Sequence, residues 1–268
     1  MKKISVITIN FNNIAGLRDT LRSVREQSYK EFEYIIVDGG SSDGSKELLE
    51  ENKDIIDVLI SERDKGIYDA MNKGAAHARG EYVMFVNSGD KIADVDTMEE
   101  IAKFKLESDI CFCKVRNMRT DGSSCIWVPP AESKLSLQYL RSNLLHHPGA
   151  IIRNNLQRKY PYDVNLKICS DRRFFIEALI LGNATYQTVD IVLNEFAPAG
   201  TSCDEAAAKM AEEDERILDS LFTERQLRDI GKNNFFVQEI SAPLTRYYVK
   251  TKLICKINKF LFRLLGIK

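Results

Sequence analysis

Residues 80–90, GEYVMFVNSGD, indicate how this chain folds. Five consecutive apolar or aromatic residues, 82–86, lie between a glycine turn and the polar tip Asn87, Ser88, Gly89 and Asp90. So short an apolar run is typical of a strand buried on both faces, as in a parallel sheet covered by helices. Asp90 should then follow a central strand, at the edge where open α/β sheets bind ligands. An ordinary strand-ending turn is the alternative, because all four tip residues are common in turns.

Length and composition are those of a soluble globular protein. The 268 residues can bury a full core, and 44% of them are hydrophobic and 29% charged. A net charge of -1 gives no overall electrostatic case for nucleic acid as a partner. The six cysteines form no CxxC pair, and the first apolar run is too short for a signal peptide or a membrane span. We therefore expect reduced thiols and a cytoplasmic location.

Strands and helices alternate through the first 90 residues. The predicted strands cover residues 4–9, 34–37, 58–60 and 82–86, and the predicted helices cover 16–27, 45–52 and 67–78. Successive strands joined by helices form right-handed crossovers, which predict an α/β fold with a mainly parallel central sheet.

Polar side chains follow each predicted strand: Asn10, Asp38, Glu62 with Asp64, and residues 87–90. Because parallel strands end at one edge, these side chains should converge on a single crevice. Asp38 precedes two glycines, so the backbone could approach a ligand while the carboxylate accepts hydrogen bonds from a base or a sugar. Turn capping is the alternative role for Asp38. The loop lacks the GK[ST] of a P-loop, and the first strand–helix turn lacks GxGxxG.

Four runs in order, VITINFNN, IIVDGGSSDGS, SERDKGIYDAMNKG and GEYVMFVNSGD, span residues 3–91. Together they resemble the N-terminal half of family 2 glycosyltransferases, and the variant DKGIYDAMNKG resembles bacterial enzymes that build O-antigen, capsule or exopolysaccharide. The resemblance implies the GT-A fold, a Rossmann-like sheet flanked by helices. It divides residues 1–203 into a donor nucleotide-binding half, 1–95, and an acceptor half, 96–203.

The resemblance also implies roles for single residues. The residues expected to contact the nucleotide-sugar donor are Thr8, Asn10, Asp38, Asp64, Lys73, Asn87 and Ser88. The tip of residues 87–90 occupies the place of the family's DxD-type motif but departs from it, with Asn87 where many members have aspartate and Gly89 in place of a further carboxylate. Asp90 alone is left to hold a divalent cation, Mg²⁺ or Mn²⁺, both of which prefer oxygen ligands.

Residues of the second half supply the expected acceptor side. Ser170 and Asp171 open a helix, where an N-cap and an acidic first turn are ordinary helix chemistry. The order HHPG, PYDVNLKICSD and FAPAGTS resembles the acceptor half of the same family, and this resemblance makes Asp171 the expected general base. His146 and His147 lack the other members of a zinc site. By the same resemblance His147 lines the pocket as a supporting contact.

The remaining chain is predicted to be a helical extension, residues 204–268. Thr201 and Ser202, just before it, could form a lid that excludes water from the pyrophosphate. Residues 204–221 read as a polar helix with a solvated acidic face. Residues 246–268 are basic and amphipathic, which suits the surface of an anionic membrane. A helix packed on the core is the alternative for this tail.

The resemblance implies an inverting glycosyltransferase that moves a sugar from a nucleotide-diphosphate sugar to a hydroxyl of a saccharide acceptor. By resemblance the donor is a UDP-sugar and the acceptor is lipid-linked, with the protein peripheral on the inner face of the cytoplasmic membrane. A nucleotidyltransferase would need a basic glycine-rich loop after the first strand, yet residues 10–16 contain no lysine or arginine. A catalytically inactive protein that binds a nucleotide sugar or a lipid carrier is the second alternative.

Overall fold

The computed structural model describes residues 3–197 and 203–229, with the side chains of Ser142 and residues 203–207 left out. The predicted lid residues Thr201 and Ser202 and the basic tail lie outside the described residues. Of the described helices, none is long and apolar enough to cross a membrane.

One mixed sheet forms the centre of the protein. Strands β1 to β9 cover Ile4–Asn10, Glu33–Asp38, Val58–Ser61, Tyr82–Phe85, Lys91–Ile92, Ile110–Met118, Ser124–Trp127, Ala150–Arg153 and Tyr186–Phe196. Their order is β3-β2-β1-β4-β8-β6-β9-β5, and β7 pairs with β6. The neighbours β3, β2, β1 and β4 are parallel, as predicted. Because β8 is antiparallel to both β4 and β6, the sheet as a whole is mixed, although β6 and β9 form a further parallel pair.

Helices flank the sheet. Helices α1 to α8 cover Ile14–Arg25, Ser45–Glu51, Ile67–His77, Thr97–Lys103, Leu137–Ser142, Asn154–Lys159, Ser170–Phe175 and Cys203–Leu221. A π-helical segment, Ile176–Leu181, continues α7. Helix α1 buries Leu17, Leu21 and Val24 at helical spacing, and the Asn13 side chain caps its start by accepting from the Gly16 N–H.

The core confirms that the first strands are buried on both faces. Every residue of β1, β2 and β4 is buried, including the polar ones. Helix α3 packs so closely on β1 that a Cβ added at Gly74 would lie 2.5 Å from Cγ2 of Ile7. Helix and sheet can approach this closely because residue 74 has no side chain. This contact holds the start of α3 beside the carboxyl ends of the strands.

Sequence patterns missed several elements of the second half, namely β5, β8, β9 and α6. Strand β5 has two residues, and β8 is a four-residue apolar run directly after a 3₁₀ turn, so neither gives a strong pattern. One compact unit extends to Ile217, within α8, and the next begins at Leu218.

Candidate active site

The polar ends of the first strands meet, as the sequence predicts. Asn10, at the end of β1, donates from Nδ2 to Oδ1 of Asp38 over 3.0 Å and to the Ser41 hydroxyl over 3.2 Å. Asp64, which follows β3, lies against Gly39, where an added Cβ would be 2.3 Å from Asp64 Oδ2. The predicted convergence of these strand ends on one crevice is therefore confirmed.

Asp38 is fully buried and heavily hydrogen-bonded. Its Oδ2 accepts from the N–H groups of Gly40 and Ser41 and from the Ser61 hydroxyl, at 3.0 to 3.2 Å. Burial alone would raise the pKa of this carboxyl, but the hydrogen bonds, led by those from Ser41 and Asn10, outweigh it and lower the pKa. Asp38 thus stays ionised and holds the shape of the loop after β2.

Lys73 supports the site from outside. Its ammonium pairs with Glu62 at 2.8 Å and Asp69 at 3.5 Å, and it donates to the Arg63 carbonyl over 3.2 Å. These contacts fix the loop that carries Asp64, whose Oδ1 accepts from the Gly66 N–H over 2.8 Å. Lys73 therefore orders the loop around Asp64, and it is not among the described residues that line a cavity.

Thr8 does not face the crevice. Its side chain is fully buried, donates to the Val86 carbonyl over 2.7 Å and lies 3.0 Å from the Tyr34 hydroxyl. This burial does not support the expected contact between Thr8 and a nucleotide. Residue 8 shares a sheet face with Asn10 but lies one pleat further inside β1, where every residue is buried.

The tip of residues 87–90 is anchored to the start of α1. Asn13 donates to the Ser88 carbonyl over 3.0 Å, and the Ser88 hydroxyl donates to the Asn13 carbonyl over 3.2 Å. Gly89 has a φ of +106°, a conformation that strains other residues. Its N–H donates to the Thr20 hydroxyl over 3.0 Å, so the tip is a well-anchored turn, and its residues Asn87 and Ser88 also line a cavity.

Two amide oxygens of the crevice have no partner among the described residues. They are Oδ1 of Asn10 and Oδ1 of Asn87, both buried and both on residues that line the same cavity. A buried acceptor without a donor is costly and uncommon in native proteins. Both oxygens are therefore suited to accept hydrogen bonds from a polar ligand.

Asp90 is 5% exposed, beneath the tip. Burial raises its pKa to about 7, although Oδ1 accepts from the Ala197 N–H over 3.1 Å. Such a carboxylate, short of donors, suits a cation that restores its charge. Among the described residues no cluster of three His, Cys, Asp or Glu side chains forms a metal site. Asp90, which is not among the residues that line the two cavities described below, is thus a candidate for an oxygen-bound divalent cation whose other ligands would come from elsewhere.

The first cavity, which we name the donor cavity, has a volume of about 510 Å³. Its walls include Asn10, Asp64, Asn87 and Ser88 from the predicted set, together with Phe11, Asn13, Gly39 and Arg63. Phe11 is 62% exposed, which is unusual for an aromatic side chain, and it offers a ring face to a planar ligand. Arg63 supplies a guanidinium, the group best suited to phosphate oxygens. Neither was predicted, although both lie inside the quoted motifs.

The second cavity, of about 390 Å³, is named the acceptor cavity. It is lined by Tyr68, Met71, Trp127, Leu144, Leu145, His146, His147, Phe196 and Asp171, among others. Ile67 and Asn87 line both cavities, so the two spaces share a wall. Most of the side chains that line it are apolar or aromatic, and they come from segments far apart in the sequence.

Asp171 is the carboxylate of the acceptor cavity. Its Oδ1 accepts from the Arg172 N–H over 2.8 Å and lies 3.4 Å from the Tyr68 hydroxyl, which itself donates to the Ile168 carbonyl over 2.6 Å. Burial is the main cause that raises the pKa of Asp171 to about 6. A pKa close to neutral is what a general base needs, since it is ionised at physiological pH and still basic.

The two histidines are neutral wall residues. His147 is buried, its Nε2 lies 2.6 Å from the Tyr162 hydroxyl, and burial lowers its pKa to about 3. Nε2 of His146 lies 2.7 Å from Oδ1 of Asn117, and burial lowers its pKa to about 4. Both histidines line the acceptor cavity, as expected for His147.

Residues 5–160 match the family described as Glycosyl transferase family 2. The chain belongs to this family. A glycosyltransferase of Mycobacterium tuberculosis, itself uncharacterised, is 29% identical over 212 residues, which are 74% of this chain and 76% of that protein. The teichuronic acid biosynthesis glycosyltransferase TuaG of Bacillus subtilis is 37% identical over 112 residues, 41% of this chain and 44% of TuaG. The chain is thus a glycosyltransferase, as the motifs predict.

The solved structures show the same fold. S. aureus TarS, crystallised as residues 1–349 in complex with UDP, superposes with a TM-score of 0.60 at 24% identity. The match covers 79% of this chain and 65% of that TarS chain, so this chain spans about two-thirds of its length. The α/β fold of the GT-A type is therefore confirmed, with a mixed sheet flanked by helices.

Proposed function

We propose that this glycosyltransferase moves a sugar, with inversion, from a UDP-sugar to a hydroxyl of a saccharide acceptor during bacterial surface polysaccharide biosynthesis. The observation that carries the proposal is the wall shared by the two cavities. One cavity holds unpartnered amide oxygens and an arginine, and the other holds a buried carboxylate with a pKa near 6. A donor in the first cavity would present its reactive carbon toward the second.

The donor cavity supplies what a nucleoside diphosphate needs. Phe11 provides a face for the base, and the Asn10 oxygen can accept from a base N–H or a ribose hydroxyl. Arg63 can pair with the diphosphate, whose charge rises as it leaves the sugar. The bound UDP of the TarS structure, on a similar fold, supports UDP as the nucleotide.

A divalent cation fits the tip of residues 87–90. Asp90 and Asn87 would hold Mg²⁺ or Mn²⁺, which when bound neutralises the charge that develops on the departing diphosphate. Because Asp90 has a pKa of about 7 and little hydrogen bonding, it gains more from a cation than the well-partnered Asp38 would. The fit of this carboxylate supports metal dependence.

Asp171 would accept the proton of the acceptor hydroxyl as the new bond forms. Attack from the acceptor cavity, on the face opposite the diphosphate, would invert the anomeric centre. The Arg172 N–H holds the carboxylate in place and leaves Oδ2 for the incoming hydroxyl. General-base assistance of this kind contributes roughly 10²- to 10⁴-fold in rate.

The acceptor cavity suits a substrate with an apolar or ring-faced part. Trp127 and Phe196 flank His146, with ring centroids 5.6 Å and 4.9 Å from the histidine, and form an aromatic wall. Sugar rings and lipid anchors both pack on such surfaces. We therefore keep a lipid-linked saccharide as the proposed acceptor, with the protein at the inner face of the cytoplasmic membrane, where such carriers are met.

A screen of nucleotide sugars tests the proposal. UDP-glucose, UDP-galactose and UDP-GlcNAc are offered with Mn²⁺, Mg²⁺ or chelator, and binding and UDP release are measured for the wild type, Asp90→Ala and Asp96→Ala. Asp96 is an exposed carboxylate six residues away whose side chain makes no capping bond, so it serves as the matched control.

The expected result is metal-dependent binding and slow UDP release for one donor, lost in Asp90→Ala and kept in Asp96→Ala. Equal donor binding with Mn²⁺ and with chelator would remove the metal from the proposal. No binding of any donor under any metal condition would favour a protein that binds a lipid carrier without catalysis.

A further inference from the structure

Three consecutive backbone N–H groups end on one side chain of helix α8. Glu213 accepts from Lys167 at 2.7 Å through Oε1, and from Ile168 at 2.8 Å and Cys169 at 2.9 Å through Oε2. The residue is only 3% exposed. The expectation that the acidic face of this helix is solvated is therefore wrong for Glu213, because its carboxylate faces the loop before α7.

Side chains hold the shape of this loop. Residues 161–169 form no helix or strand, so their N–H groups need acceptors outside a regular element. Asn72, Ser170 and Asp163 accept from its first part, and Glu213 accepts from residues 167–169. In addition, the Tyr68 hydroxyl donates to the Ile168 carbonyl over 2.6 Å. The peptide groups on both sides of Ile168 are thus fixed by side chains from two separate helices.

The fixed segment leads directly to Asp171. Ser170 directly follows Cys169 and begins α7, and Asp171 is the second residue of that helix. The next residue of α8, Asp214, pairs with the guanidinium of Arg172, which follows Asp171 and is 8% exposed. Helix α8 therefore holds the chain immediately before and after Asp171.

We infer that Glu213 is a positioning residue, which sets the place of the Asp171 carboxylate through the backbone of residues 167–169. The inference rests on the proposed function, since it assigns a role through Asp171. A charged acceptor that takes three N–H bonds is strong and directional. Displacement of a catalytic group by about 1 Å can cost on the order of 100-fold in rate. The loss should therefore fall on turnover and leave donor binding intact.

The test compares Glu213→Gln with Glu212→Gln in the full chain, each alone and combined with Asp171→Asn. Glu212 is the exposed neighbour, so its substitution removes an equal charge from the same helix turn. Gln keeps the size of Glu213 but has one acceptor oxygen, and its NH₂ group would face an N–H. The readouts are UDP release from the three UDP-sugars with water as acceptor, the donor KM and the affinity for UDP with Mn²⁺.

We expect Glu213→Gln to lower kcat by about 10- to 100-fold, with donor KM and UDP affinity within twofold of wild type. Combined with Asp171→Asn, it should add less than twofold, because a residue that acts through another loses its effect when that residue is gone. Wild-type turnover by Glu213→Gln, or an equal loss on the Asp171→Asn background, would overturn the inference.

Two further measurements distinguish a variant that fails to fold from one that misplaces Asp171. If Glu213→Gln does not fold, Glu213→Asp replaces it in the test. This variant keeps the charge but is one methylene shorter, so we expect a loss confined to kcat. Wild-type turnover by Glu213→Asp would overturn the inference. A crystal structure of the variant should show residues 167–171 displaced, and an unmoved loop would count against the inference. Full turnover by Asp171→Asn alone would instead overturn the proposed base, whatever the position of the loop.

Discussion

The two cavities are assembled in different ways. Residues 9–88 line the donor cavity, and its polar groups follow successive strands at one sheet edge. The acceptor cavity draws on residues 67–210, with walls from α3, β7, the 3₁₀ turn after α5 and the start of α7. The donor cavity is thus a product of local order along the chain, whereas the acceptor cavity depends on distant segments meeting.

The two cavities also differ in the polarity and hydrogen bonding of their residues. The donor cavity has unpartnered amide oxygens at its wall, and next to its lining residue Gly39 stands the ionised, fully hydrogen-bonded carboxylate of Asp38. The acceptor cavity has an underbonded carboxylate, Asp171, among apolar and aromatic side chains. On the proposed function, the first cavity would hold the polar donor and the second would keep the Asp171 base reactive. Substitutions should therefore separate binding from turnover.

The largest effect is expected at the acceptor side. Asp171→Asn should lower turnover by roughly 10²- to 10⁴-fold with donor KM nearly unchanged, because the amide cannot accept the proton. Wild-type turnover should fall about tenfold per pH unit below the Asp171 pKa of about 6 and level off above it. UDP release measured as a function of pH checks both the loss of turnover in Asp171→Asn and the pH profile of the wild type. Asp190→Asn, an exposed carboxylate paired with Lys114, is the control and should keep wild-type kinetics.

The next effect is on stability and belongs to the donor side. Asp38→Asn turns an acceptor of two N–H groups into a donor, so we expect a loss of about 1–3 kcal/mol in the free energy of unfolding. Because folding lowers the pKa of Asp38, its contribution is complete above the ordinary value of 3.8 and is lost as pH falls through the folded pKa. Urea denaturation at pH 7 and pH 3 should therefore show that variant and wild type differ less in the free energy of unfolding at pH 3 than at pH 7.

The third effect in size should be a loss of UDP affinity. Arg63→Ala is expected to weaken UDP affinity about tenfold, since it removes a charge-assisted contact from the diphosphate. Titration calorimetry with UDP and Mn²⁺ measures this loss. Arg22→Ala, an exposed arginine of α1, should leave the affinity unchanged. An unchanged affinity in Arg63→Ala would place the diphosphate elsewhere.

The smallest effect tests whether the cavities are independent. Trp127→Ala opens the aromatic wall of the acceptor cavity and touches no residue of the donor cavity that we name above. We expect UDP affinity to stay within twofold of wild type, measured by the same titration. A tenfold loss would mean that the two cavities cannot be treated as separate sites.

Sequence reasoning succeeded where structure is local. Strands β1, β2 and β4 are buried runs that end in polar residues, and their order alone predicts that Asn10 and Asp38 meet. It failed where side-chain direction or distant packing decides. A strand pattern could not say that Thr8 faces the Val86 carbonyl, and helix periodicity could not say that Glu213 meets the loop before α7. The resemblance made Asp171 the expected base, but no pattern could show that the segment before it contacts a residue of α8 more than 40 positions away.

The wall shared by the cavities has a consequence for how this protein can diversify. Ile67 and Asn87 contact both spaces, so a mutation there alters the fit of donor and acceptor at once. Such double changes are rarely tolerated, because each substrate imposes its own selection. Lineages that acquire a donor with a new nucleotide should therefore vary at Phe11, and those that acquire a new acceptor at Trp127 or Leu144. Exchange of either substrate can then evolve in steps while the common wall stays fixed.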